Sequence, residues 1–352
     1  MRHSKGSAWL PLMLLGTLGT TMSFEVGAHH SFAEYDETRP IELAGKLTDF
    51  RWVNPHVHFT LQTMDKSGHA QTWDLESHSV SILRRTNATA ENLKIGDSVK
   101  IAGWPSKRAP TRLFVTNVLQ GNGQELVLDQ RSPPRWAKVA LGQQGTWVGG
   151  ATPGKSTLFH VWASDLGNPT LVLPWKEPSQ YPLTEKAKRA LAKWNPIRDS
   201  IARGCEPKGM PTIIEQPYPI EFVDRKDTIL MRLEEYDSVR VIHLGKSAPA
   251  ETQPKSLLGY STGHWEGNTL VVDTSRIAWR YFDPNGVPQG SAMSIVERFT
   301  PSADGSHLDD LIRVTDPETF TEPVELHRMW VNRVGEEVKP YNCTTGKVVA
   351  VR

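Results

Sequence analysis

The chain carries almost no net charge: 40 Lys and Arg stand against 39 Asp and Glu, a balance of +1 over 352 residues. That balance removes the sequence-wide electrostatic case for nucleic acid, which calls for a basic excess or a basic stripe. A second long apolar run is lacking, and mean hydropathy is −0.42, which argues against a polytopic membrane protein. No Rossmann glycine fingerprint is evident, so no nucleotide cofactor is indicated. No internal repeat is evident either. What the chain does have, 38% hydrophobic residues and 12 Trp, argues against disorder.

Residues 1–28 read as a secretory signal. Arg2 and Lys5 form a basic start, and Ala8–Met22 is an apolar stretch too short and too interrupted to span a bilayer stably. Val26-Gly27-Ala28 supplies a cleavage site, and its use would leave equal numbers of acidic and basic side chains. The expected location is the periplasm or outside the cell, with no stable membrane span after cleavage. In an oxidising compartment Cys205 and Cys343 most simply pair.

The rest reads as mainly β, with two barrels. Residues 29–128 alternate in short runs around Ile41–Leu43, Val57–Leu61, Gln71–Leu75, Val99–Ile101 and Leu113–Val115, with a helix at Ser79–Asn87. Five strands and one helix suit a small OB-like barrel, a sandwich being the alternative. Residues 129–182 form a Pro/Gly-rich connection with a strand candidate at Leu158–Trp162. Residues 183–352 open with a helix at Leu183–Lys193, capped by Thr184. An antiparallel meander follows and is expected to roll into a lipocalin-like barrel around a hollow.

Candidate chemistry falls in two places. Cleavage after Ala28 would expose the amine and imidazole of His29, and His56 and His58 share a strand face. These three could hold copper or zinc, since imidazole and amine nitrogens suit such ions. The alternative is that His29 is a tail residue and the other two are ordinary surface and packed histidines. In the second barrel, Glu235 and Glu297 fall on inward faces, with Arg240 as an available partner. His264 and Asp273 lie between them in sequence as further acid–base candidates, and Trp265, Tyr236, Phe299 and Trp330 are the expected aromatic wall. Two inward carboxylates of unequal pKa could act as general acid and base, or could simply hold register. On the catalytic reading, Glu297→Gln abolishes turnover and leaves stability near wild type.

The runs His29-His30-Ser31-Phe32, Trp52-Val53-Asn54-Pro55-His56 and Gly96-Asp97 resemble a family of secreted bacterial proteins known only as a domain of unknown function. A second resemblance, to another uncharacterised secreted group, rests on Gly263-His264-Trp265-Glu266-Gly267-Asn268-Thr269-Leu270-Val271-Val272, Val296-Glu297-Arg298-Phe299 and Tyr341-Asn342-Cys343. His264 stands where Arg is usual in that group, and His58 where an aromatic is common in the first. Neither resemblance implies a catalytic residue or a cofactor. The expected function is a secreted container for a small, largely apolar molecule. A cofactor-independent isomerase, lyase or hydrolase in the same cavity, a copper- or zinc-binding protein, and an envelope-interaction module are the alternatives.

Overall fold

Side chains alternate between buried and solvated along most of the longer strands, as the two barrels require. The computed structural model describes residues 34–129, 131–142, 153–165, 175–196, 198–199, 204–245, 248–333 and 335–344. The expected signal segment and His29 lie outside the described residues.

The N-terminal barrel is built from β1 (Ile41–Arg51), β2 (His58–Met64), β3 (Ala70–Glu76), β4 (Ser98–Pro105) and β5 (Arg112–Gln120). β6 (Glu125–Val127) extends the sheet beside β5. The ring runs β3-β2-β1-β4-β5 and closes through a parallel β3–β5 pair. This is the strand order of an OB fold. Helix α1 (Val80–Leu83) sits between β3 and β4, where Ser79 accepts a hydrogen bond from the Ile82 N–H at 3.2 Å. Ring closure forces strands close together at Gly103, where a Cβ would lie 2.0 Å from the Phe114 carbonyl oxygen. Leu47, Phe59, Leu61, Leu75 and Val115 fill the interior.

The C-terminal barrel has nine strands: β7 (Val161–Ala163), β8 (Ile220–Asp224), β9 (Thr228–Leu233), β10 (Ser238–Leu244), β11 (Tyr260–Glu266), β12 (Thr269–Ser275), β13 (Ser294–Pro301), β14 (His307–Thr315) and β15 (Val324–Asn332). β7 comes from the Pro/Gly-rich stretch and closes the ring between β15 and β8. Helix α2 (Glu185–Leu191) begins at Thr184, which caps it as expected. All neighbouring pairs in the ring are antiparallel except β10–β11, which is parallel. A parallel neighbour requires a crossover, here the segment from Gly245 to Gly259.

The expected hollow is filled. Trp162, Phe222, Met231, Leu270, Phe299, Leu308 and Trp330 point inward at 0–2% exposure. Atoms lining a hollow wide enough for water would show more exposure than that. Each buried side chain of this kind contributes roughly 1.5–3 kcal/mol. Large inward aromatics on strands that cross the same interior leave no room for a guest.

Cys205 and Cys343 form a disulfide, as expected, across 138 residues of sequence. The barrels meet beside it. Asn54 donates to the Tyr341 carbonyl at 2.6 Å and to Ser81 Oγ at 3.1 Å. Arg84, just after α1, donates twice to the buried carboxylate of Glu234, at 2.8 and 2.7 Å. The Asn-Pro-His run and the Tyr-Asn-Cys run therefore meet at the barrel junction.

Candidate functional site

Arg240 on β10 and Glu297 on β13 reach each other across the filled interior. Arg240 Nη1 donates to Glu297 Oε1 at 3.0 Å, and Nη2 donates to Oε2. Arg240 Nε donates to Ser261 Oγ at 2.9 Å, and Nη2 also donates to Thr274 Oγ1 at 2.5 Å. A buried ion pair is tolerable only with such partners. Asp310 on β14 lies diagonal to Glu297 and opposite Arg328 of β15. Among the described residues neither Asp310 carboxyl oxygen has a hydrogen-bond partner of good geometry. Burial first, then Glu297, pushes Asp310 well above its ordinary value, with Arg240 and Arg328 pulling the other way. Arg328 donates to Ser164 Oγ at 2.7 Å and to the Gln216 carbonyl at 3.0 Å. All four groups are sealed at 0–2% exposure, beyond the reach of a substrate in solution.

The wall thins in two places. One is beside short β7, where Ser164 and Gln216 meet Arg328. The other lies beside β10. β9 pairs with β10 along Ser238–His243, but β11 joins it only at Ile242, His243 and Leu244. The chain enters β11 through Gly259 at φ +71°, where a Cβ would lie 2.5 Å from the Ser275 carbonyl oxygen. Between β10 and Ser256–Tyr260 a cleft of about 440 Å³ remains. Val239, Val241, Leu257 and Leu258 give it an apolar lining, and His243 stacks on Tyr260 at 4.9 Å. Lys208 flanks it, 3.0 Å from Glu235 Oε1. Burial alone would lower Lys208; the charges of Glu235 and Glu215 outweigh it and hold the ammonium above its ordinary pKa. Among the described residues Lys208, Arg240 and His243 border the cleft, the first two already paired with Glu235 and Glu297.

The other expected residues scatter. Glu235 does not continue β9: the strand ends at Leu233, and the chain turns through Tyr236 and Asp237 at φ 56° and 51°. Tyr236 packs on Tyr341 at 5.1 Å, at the barrel junction. Phe299 and Trp330 are core, 6.4 Å apart. His264 and Asp273 point out of the barrel, and His264 Nε2 lies 3.2 Å from Glu266 Oε1 in a solvated pair. Trp265 is 41% exposed and meets Phe159 edge-on at 6.1 Å. Of the five acid–base candidates, the structure brings only Arg240 and Glu297 together.

In the N-terminal barrel, His56 Nδ1 lies 2.7 Å from the Ser77 carbonyl oxygen. Burial, then Arg51, pushes the His58 imidazole down to about 4. Among the described residues no three His, Cys, Asp or Glu side chains converge on a point that could hold a metal.

Two motif matches escape the reading by composition and spacing. Gly259-Tyr260-Ser261-Thr262-Gly263 spells Gly-x-Ser-x-Gly, but Ser261 is 1% exposed inside β11 rather than on a strand-to-helix turn. Residues 149–156 spell a phosphate-binding loop that lies partly outside the described residues. Its described end runs on to strand β7 rather than to the helix that such a loop needs. Sequence reasoning also missed Lys208, Asp310 and Arg328. Alternation on β14 and β15 would have placed the last two inward; Lys208, on an irregular segment, leaves no periodic signal.

Fold and junction together define a two-barrel protein with a disulfide. The disulfide fits an oxidising, extracytoplasmic setting, and among the described residues no helix is long and apolar enough to cross a membrane. A family model described as a family of unknown function, DUF6152, matches residues 19–113. That span takes in β1 to β4 and ends at the start of β5. No curated protein and no solved structure matches the chain.

Proposed function

We propose that the protein binds a small, largely apolar ligand in the wall cleft of the C-terminal barrel. The interior is too full to serve, and its carboxylates are sealed. The observation that carries this reading is the short parallel β10–β11 pairing, which opens about 440 Å³ of mostly apolar space beside Val239 and Val241. Those two valines are 48% and 40% exposed, unusual for a strand whose neighbours are packed.

Nile red, an uncharged apolar dye, tests the reading. Saturable fluorescence enhancement is expected, weakened about ten-fold or more by Val241→Asp, which puts a charge where the dye would lie. Leu311→Asp is the control: Leu311 is likewise an exposed apolar residue, on β14, away from the cleft. Equal loss in both variants, or no saturable binding to wild type, refutes the reading.

A further inference from the structure

The backbone beside the cleft lacks a ladder partner. The Leu244 N–H donates to the Asp227 carbonyl at 2.9 Å, which sets the phase of the β9–β10 ladder. Ser238, Arg240 and Ile242 therefore turn their backbone groups to β9; Val239, Val241 and His243 turn theirs the other way. His243 finds β11 there, because parallel pairing starts at Ile242. The Val239 N–H and C=O and the Val241 N–H make no hydrogen bond among the described residues. They present about 7 Å of strand edge to the cleft. An open edge of this kind is a template for another strand.

We infer that the cleft's ligand is a short extended peptide segment of a partner protein, added as a strand along Val239 and Val241. The inference rests on the cleft being the binding site. Backbone groups supply the pairing, and alternate apolar side chains of the peptide lie on Val241, Leu257 and Leu258. Charge does not narrow the class, because Lys208 is already paired with Glu235 and Arg240 with Glu297; the open ladder and the apolar lining define the ligand.

The test uses the full chain labelled with ¹⁵N-valine and a pool of acetylated peptides that alternate Val or Phe with Thr. In the free protein the Val239 and Val241 amides exchange quickly with solvent. With the pool both slow about ten-fold or more, while the Val272 amide does not change. Val241→Pro removes a donor that β9 does not use, and binding falls roughly five- to ten-fold. Methylating alternate peptide amides keeps the test independent of that variant: one phase of methylation abolishes binding and the other leaves it. Val239 and Val241 amides already protected in the free protein overturn the inference, because the edge is then covered. So does a pool that binds without slowing them, or one that fails to bind while Nile red still binds in a Val241-dependent way; that last result leaves the cleft reading standing. Loss of Val241-dependent Nile red binding removes the reading beneath it.

Discussion

Replacing Glu297 by Gln should unfold the C-terminal barrel more easily rather than stop a reaction. Glu297 is 0% exposed and Arg240 2%, and the carboxylate takes two of the guanidinium's hydrogen bonds. The variant keeps the shape and removes the charge, leaving a buried cation short of its counter-ion. Breaking such a pair from one side costs about 3–5 kcal/mol. For a domain of this size that lowers Tm by about 6–20 °C. Asp310 moderates the loss. Burial first and the Glu297 charge second both raise Asp310, so removing that charge favours an Asp310 carboxylate that offsets part of Arg240. Glu297→Gln should therefore fall at the lower end of the range. Combined with Asp310→Asn it should cost more than the two single changes added together. Urea unfolding followed by tryptophan fluorescence measures all three variants. A Glu297→Gln variant within about 0.5 kcal/mol of wild type would show that the pair does not hold the core and would refute the reasoning.

Two further predictions concern the disulfide and the buried acid of the N-terminal barrel. Cys343→Ala opens a loop spanning 138 residues of sequence and should cost up to about 5 kcal/mol in the chain-entropy account. Unfolding midpoints that match wild type under non-reducing conditions would contradict it. Burial above all pushes Glu76 up to about 7, from an ordinary 4.5. Between those values the folded state holds a proton that the unfolded state has lost, so rising pH erodes stability, by up to about 3 kcal/mol in all. Glu76→Gln stays neutral and should gain that much on wild type between pH 4.5 and about pH 7, the window set by the two values. His58, pushed down to about 4, tilts the wild-type curve the opposite way, so the difference between variant and wild type is the measure. A difference that does not change with pH would refute the assignment.

The N-terminal barrel could be read from its sequence almost strand by strand. Glycines and turns bound each run, and the one helix carries its Ser79 cap. The second barrel was legible in its faces. Ser294–Phe299 alternates so plainly that Glu297 could be placed inward from the pattern alone. What filled the barrel was not legible. Period two says which side chains share a face, not which meet across nine strands. Trp162 comes from a Pro/Gly-rich connection whose tryptophans do suggest packing onto a domain, but no pattern says that its ring completes the interior of this barrel. The parallel β10–β11 pair was hidden for a related reason. Short turn signals announce hairpins between antiparallel neighbours, whereas the crossover after Leu244 gives no signal of where the chain will rejoin the sheet.

The filled interior and the open edge are linked by the same parallel pair. A strand that must run parallel to β10 has to enter from the far end, and its approach through Gly259 leaves Val239 and Val241 without a neighbour. Buried, those orphan backbone groups would each cost about 1–3 kcal/mol. Opening to a cleft lets water meet them and removes most of that cost. Arg240 crosses beneath the gap to Ser261 and Thr274, tying β10 to β11 and β12 from inside where the ladder does not. The arginine thus takes over part of the closure that backbone pairing gives elsewhere, and the edge above it stays available. A carboxylate buried among apolar side chains looks catalytic in sequence. Here it anchors the arginine that lets a barrel wall stand with a gap in it.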